Sequence, residues 1–275
     1  MNLNQLDTIA SQFPRTDKMP VLFLGHGSPM NAIEENQFVQ GFRNIAKTIP
    51  KPNAILCVSA HWFTKGTKVT AMNFPPTIHD FGGFPKALYE VQYNAPGSPE
   101  LAEVTQKLLT PTPVDLDHSW GLDHGAWSVI KHLYPNADIP VIQLSIDYTK
   151  PAEYHYELAQ KLQTLRERGI LIIGSGNIVH NLRLVDFNNI NKVDYGYDWA
   201  HEAFDSINKH LLDGDYKPLI SYEKQSKAFQ LAIPTPDHYL PLLYILGLQS
   251  KNEELSLFNN HLLAGSLSMT SVKIS

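Results

Sequence analysis

Cysteine is nearly absent from this chain: Cys57 is the single one in 275 residues. It leaves no internal disulfide and no thiolate-rich zinc site to consider. Cys57 stands inside an apolar run, so it reads as a buried, inert thiol rather than a nucleophile. Long apolar runs are missing as well, and no stretch approaches the roughly 18 apolar residues that a membrane span requires. The first twenty residues carry Asn, Gln, Asp, Arg and Lys without the apolar core of a secretion signal. Positive charge is not in excess: the formal net charge is −5, which offers no basic footprint for nucleic acid or an anionic membrane. Neither a G-x-S-x-G elbow, a Walker motif nor an H-E-x-x-H pair is present, and Gly174-Ser175-Gly176 lacks the third glycine of a dinucleotide fingerprint. Repeats, low-complexity tracts and a coiled-coil pattern are missing too. The expectation is a soluble, cytoplasmic protein with no nucleic-acid or membrane partner, as a monomer or small homo-oligomer.

What is present is apolar content, at 43% of residues, and histidine, twelve in all. An apolar content this high supports a sizeable core. The run Val21-Leu22-Phe23-Leu24 stops at Gly25 and is followed at once by His26, with Gly27 and Pro29 beyond. Such a run, closed by Gly and Pro, reads as a buried strand ending in a tight turn. The pattern recurs at Ala54–Ser59, with His61 and Trp62 just after it. The two histidines lie 35 positions apart, the length of one strand–helix–strand unit. Parallel neighbouring strands would bring both imidazoles to one sheet edge, where open α/β sheets bind ligands. A shared metal site is expected there.

Other elements follow the same grammar. Helices are expected over Asn36–Thr48, Ser98–Leu109, about Ala126–Tyr134, Pro151–Arg168, Asp198–Leu212 and Leu240–Leu248. Strands are expected at Lys68–Met72, Val141–Ile146, Ile170–Ile173 (broken by Gly174 to Asn177) and Ser266–Ile274. The alternation implies one α/β domain over 20–275, with a central, mainly parallel sheet flanked by helices and a polar arm over 1–19. Two loops, Phe74–Pro85 and His118–Trp127, are too rich in Gly, Pro and aromatics for regular structure, and the first is read as a pocket wall or lid.

Six histidines stand in site-like settings beside Gly, Pro, Asn or aromatics: His26, His61, His79, His124, His180 and His238. The remainder (His118, His132, His155, His201, His210, His261) read as mostly solvated. Imidazole suits zinc, iron, copper and nickel, and the lack of Cys partners points to a catalytic rather than a structural ion. Aromatic residues Trp62, Phe81, Phe84, Trp120 and Trp127 could wall a pocket for a flat ring or simply be core.

Six stretches in order carry a family resemblance: GHGSPM at Gly25, SAHWF at Ser59, PPTIHDFGGFP at Pro75, LDHGAW at Leu122, GSGNIVHNLR at Gly174 and PTPDHYLPLLY at Pro234. Together they resemble the DODA-type extradiol ring-opening dioxygenases of the LigB-like superfamily, with the bacterial 4,5-DOPA-cleaving branch nearest. That resemblance implies opening of a catechol such as L-DOPA by O2, with 4,5-cleavage to 4,5-seco-DOPA. It implies His26, His61, His180 and His238 as ligands of one divalent metal per chain. It further implies His124 as a pocket histidine that contacts catechol or oxygen. On chemical grounds His180 and His124 are the candidates for proton-handling catalytic residues, and Trp62, His79, Phe81 and His124 for substrate contacts. Where protocatechuate-cleaving relatives have a glutamate, this chain has His238 beside Asp237; an all-imidazole set admits Zn2+, while Fe2+ is expected for turnover with O2. Two other readings stay open at this point: a zinc-dependent hydrolase, and a non-enzymatic metal- or catechol-binding member of the superfamily.

Overall fold

A computed structural model of the chain describes residues 13–275. The polar arm expected over 1–19 falls largely outside these; from Thr16 to Met19 the backbone hydrogen-bonds to Glu167 and Arg166. Ten strands occur among the described residues: β1 (Val21–Gly25), β2 (Ala54–Thr64), β3 (Thr67–Thr70), β4 (Val114–Asp117), β5 (Val141–Asp147), β6 (Ile170–Gly176), β7 (Leu255–Phe258), β8 (Leu262–Leu263), β9 (Leu267–Ser268) and β10 (Ser271–Ile274). Eight of them form one sheet in the order β4-β3-β5-β2-β6-β1-β10-β7, and β8 and β9 pair separately. The centre, β5-β2-β6-β1, is parallel throughout. Antiparallel pairs flank it, β3 against β5 on one side and β10 against β1 on the other.

The central strands are buried on both faces, which is why they read as unbroken apolar runs rather than alternating ones. Side chains still alternate between two cores. Val21, Phe23, Leu56 and Ile172 pack on one face with the helices Pro99–Leu108, Ala152–Gln160 and Leu240–Gly247. Leu22, Leu24, Ile55 and Ile173 pack on the other with Gln37–Ala46 and His124–Leu133. Asn36 and Ser98 cap their helices through side-chain oxygens. No helix among the described residues is long and apolar enough to cross a membrane.

Several expectations are corrected. Strands β1 and β2 are parallel but not neighbours, because β6 lies between them. His61 does not follow β2; it lies inside it, within an irregularity where five residue steps from Val58 to Phe63 oppose two from Leu144 to Ile146 on β5. Bulges of this kind re-aim side chains next to sites. β6 runs on through Gly174 to Gly176, because parallel pairing to Phe23, Leu24 and Gly25 holds these small residues in the ladder. The helix expected over Pro151–Arg168 stops at Gln160 and resumes as a single turn at Gln163–Arg166. The closing strand divides into β9 and β10, the third strand is shorter than expected, and the helix after the second loop begins at His124. His155 and His132 are buried rather than solvated. His155 meets the Tyr244 hydroxyl at 3.0 Å, and His132 Nε2 meets the Asn31 carbonyl at 2.7 Å. Helical spacing could not show that both faces of these helices are covered.

Candidate metal centre and active site

The carboxyl ends of β1, β2 and β6 meet at one place. Leaving β1, the His26 backbone N–H donates to the carbonyl of Gly176 at the end of β6. Gly176 must be glycine, since a Cβ there would lie 2.1 Å from the His238 carbonyl oxygen, which accepts from the Asn177 N–H. This close crossing brings the His238 loop over the end of β6. His124 arrives from another direction, as the first residue of a helix whose cap, Asp123, accepts from the Ala126 N–H.

Five imidazoles converge as a result. His26 Nε2 and His61 Nε2 face one another at 3.3 Å. Ring centroids lie 3.8 Å apart for His61 and His124, 5.0 Å for His61 and His238, and 5.2 Å for His26 and His238. His180 stacks on His238 at 3.6 Å with the planes 10° apart. Ligand nitrogens of His26, His61 and His124 all fall within 4.8 Å of one another.

Surrounding groups fix which nitrogen carries the proton. The Ser175 hydroxyl donates to the Gly125 carbonyl at 2.5 Å, so its oxygen is left to accept from His26 Nδ1 at 3.0 Å. His61 Nδ1 lies 3.4 Å from Asp80 Oδ2. With His26 Nδ1 as a donor, its Nε2 lone pair faces His61 Nε2, close enough for the two nitrogens to share a hydrogen or a cation. A separation of 3.3 Å is the spacing of two nitrogens about 2.0–2.1 Å from one tetrahedral ion. His238 Nδ1 is paired with the Asp237 carboxylate, which leaves its Nε2 lone pair available in the same manner.

Burial, reinforced by the neighbouring imidazoles, holds His26 far below its ordinary pKa and His61 at about 2. Burial and then His238 bring His180 to about 3. These rings are therefore neutral at physiological pH, the form that binds metal. Burial alone would raise Asp80 and Asp237, but the adjoining His124 and His238 outweigh it and keep both carboxyls below their usual range.

The other expected site residues divide into two groups. Phe81 meets the cluster directly, edge-on to His124 at 5.4 Å. His79 is one layer further out, with Nε2 on the Val91 carbonyl at 2.9 Å and its ring against Phe81 and Trp127. Trp62 is buried and lies parallel to Trp120 at 5.9 Å. The loop holding His79 and Phe81 is a fixed wall over Pro76–Asp80, because Pro76, Ile78 and Asp80 hydrogen-bond to Leu122, His124 and Trp127. Sequence reasoning passed over Asp80, Ser175, Ser59 and Gln143, the last two of which hydrogen-bond the buried Asp123 carboxylate at 2.6 Å each. Asp80 sat in plain view beside His79, but nothing local indicated that it would turn toward His61 and His124.

Residues 20–268 match the family described as the catalytic LigB subunit of aromatic ring-opening dioxygenase. The chain belongs to that family. Over 261 residues it is 49% identical to the 4,5-DOPA dioxygenase extradiol of Escherichia coli K12, covering 94% of this chain and 95% of that one. The 4,5-DOPA dioxygenase extradiol of Beta vulgaris is 39% identical, over 91% of this chain and 94% of the plant protein. A crystal structure of an uncharacterized Escherichia coli K12 protein superimposes with a TM-score of 0.79 at 44% identity, covering 94% of this chain and all of that one. The LigB-family chain is thus an extradiol ring-opening dioxygenase, with a histidine group at its sheet edge that could hold a metal ion.

Proposed function

We propose that this dioxygenase opens a catechol such as L-DOPA with O2, by 4,5-cleavage to 4,5-seco-DOPA, at one divalent metal held by the sheet-edge imidazoles. The observation that carries this reading is the facing Nε2 pair of His26 and His61, beside an aromatic wall that begins at Phe81. His238, oriented by Asp237, completes the grip, with His180 stacked behind it. A divalent ion held by His26, His61 and His238 would supply Lewis acidity toward the catechol oxygens and toward dioxygen.

The chain's own groups do the rest. His26 presents its Nε2 lone pair because Ser175 accepts its Nδ1 hydrogen, Asp80 lies beside His61 Nδ1, and Asp237 holds His238 through its Nδ1. His124 lies against His61 on one side and Phe81 on the other, so it is placed to take the catechol proton and return it as the ring opens. His180 can serve as a second proton acceptor at the opposite side of His238. Phe81, backed by the buried Trp127, gives the pocket an apolar side against which a flat ring can pack away from water.

Stripping the metal, reloading with Fe2+ under anaerobic conditions and then admitting L-DOPA and air should consume oxygen and yield a yellow ring-opened product. A Zn2+-loaded sample should be slow or silent, because zinc has no accessible redox change. No ring-opened product from any of a panel of catechols under Fe2+ would defeat the proposal. Oxygen-independent ester or amide hydrolysis by the zinc form would favour a hydrolase instead.

A further inference from the structure

The carboxylate of Asp80 lies between two of the five imidazoles. Oδ2 is 3.4 Å from His61 Nδ1, and Oδ1 is 3.0 Å from His124 Nδ1. Oδ1 also accepts the backbone N–H of His124 at 2.8 Å, which ties the carboxylate to the first turn of the helix His124–Leu133. The ring nitrogen of His124 lies within ion-pair distance of Oδ1 but off the line of a good hydrogen bond, and among the described residues it has no other partner. The loop bearing Asp80 cannot drift: the Ile78 N–H donates to the Leu122 carbonyl, and Trp127 Nε1 donates to the Ile78 carbonyl at 2.8 Å.

We infer that Asp80 is a positioning residue that orients His61 and His124 together. In metal sites a carboxylate on the far nitrogen of a histidine fixes its tautomer and ring angle, and losing it lowers metal affinity by about 10–100-fold. Here a single carboxylate serves two rings with different tasks. One carries an Nε2 of the facing pair; the other contacts the aromatic wall. The same loop that shapes the pocket for the substrate therefore also sets the metal-facing ring. The assignment rests on the catalytic reading above for the task of His124, but not for the alignment of His61.

The test is Asp80→Asn, which keeps the shape and can still accept the His124 backbone N–H through its amide oxygen. Apo-protein competing with a chromophoric chelator for Zn2+ gives metal affinity without any turnover. D80N should bind Zn2+ about 10–100-fold more weakly, with the thermal midpoint of the apo form little changed. Under Fe2+ at saturating metal, kcat for L-DOPA should fall while KM moves little, because the amide lacks the charge that holds the His124 ring and presents an N–H to His61 Nδ1. Zn2+ affinity in D80N within twofold of the parent would overturn the inference. The conservative Asp80→Glu restores a carboxylate and should recover part of the lost affinity; binding no tighter than in D80N would equally overturn it. If no catechol is cleaved by the parent but D80N still loses Zn2+ affinity, the catalytic reading fails and the positioning of His61 stands.

Discussion

Gly125→Ala is the sharpest probe of how this centre is assembled, because a single methyl would enter it from the side. A Cβ at Gly125 would stand 2.5 Å from Ser59 Oγ and 2.7 Å from His61 Cδ2, against an ordinary contact of 3.4 Å or more. Ser59 has little room to retreat: its hydroxyl donates to Asp123 at 2.6 Å and accepts the His61 N–H at 3.3 Å. The His61 ring must therefore yield by about 0.7 Å, and Cδ2 is bonded to the Nε2 that faces His26. Functional groups tolerate displacements of about 0.5 Å, and metal–ligand distances only about 0.2 Å. We expect G125A to lose about tenfold or more in Zn2+ affinity, and about 1–3 kcal/mol of stability from overpacking. Chelator competition on the apo-protein reads the first effect and urea unfolding the second. Gly82→Ala is the matched control in the same pocket wall, since nothing lies within 4 Å of a Cβ there. Parent-like Zn2+ affinity in G125A would show that the His61 ring is not held where metal binding needs it, and the reasoning would fall.

Two further outcomes follow from neighbouring contacts. Ser175→Ala removes the acceptor of His26 Nδ1 and the donor to the Gly125 carbonyl, so Zn2+ affinity should drop about 10–100-fold and urea stability by about 1–3 kcal/mol; unchanged affinity in the chelator assay would separate Ser175 from the centre. Far from the site, Glu253 pairs with the wholly buried Arg166, which also donates to the carbonyls of Met19 and Leu248. Burial opposes ionisation of Glu253, but Arg166 outweighs it and holds the carboxyl at about 2. A folded-state pKa below the ordinary value adds stability that is complete above pH 4.5 and is lost as pH falls toward 2. Glu253→Gln should therefore cost about 3 kcal/mol at neutral pH and flatten the acid limb of a denaturation curve, and an unaltered acid limb would contradict that pairing.

The chain's local grammar settled a good deal. A buried strand ends where Gly25 interrupts Val21–Leu24, the Asn36 and Ser98 caps start their helices, and His26 stands at a strand end because the residues that fix these features are neighbours in sequence. Six short motifs in order were enough to indicate the family. What sequence could not show was adjacency across long separations. That β6 lies between β1 and β2, that the β2 irregularity turns His61 inward, and that His155 is buried all depend on which apolar faces pack together. Those choices are decided by burial summed over the whole chain, not by any local pattern. The same reason hid Asp80 and Ser175: a carboxylate or hydroxyl has no periodicity that tells which imidazole it will meet, and only the closed fold brings positions 80 and 61, or 175 and 26, into contact.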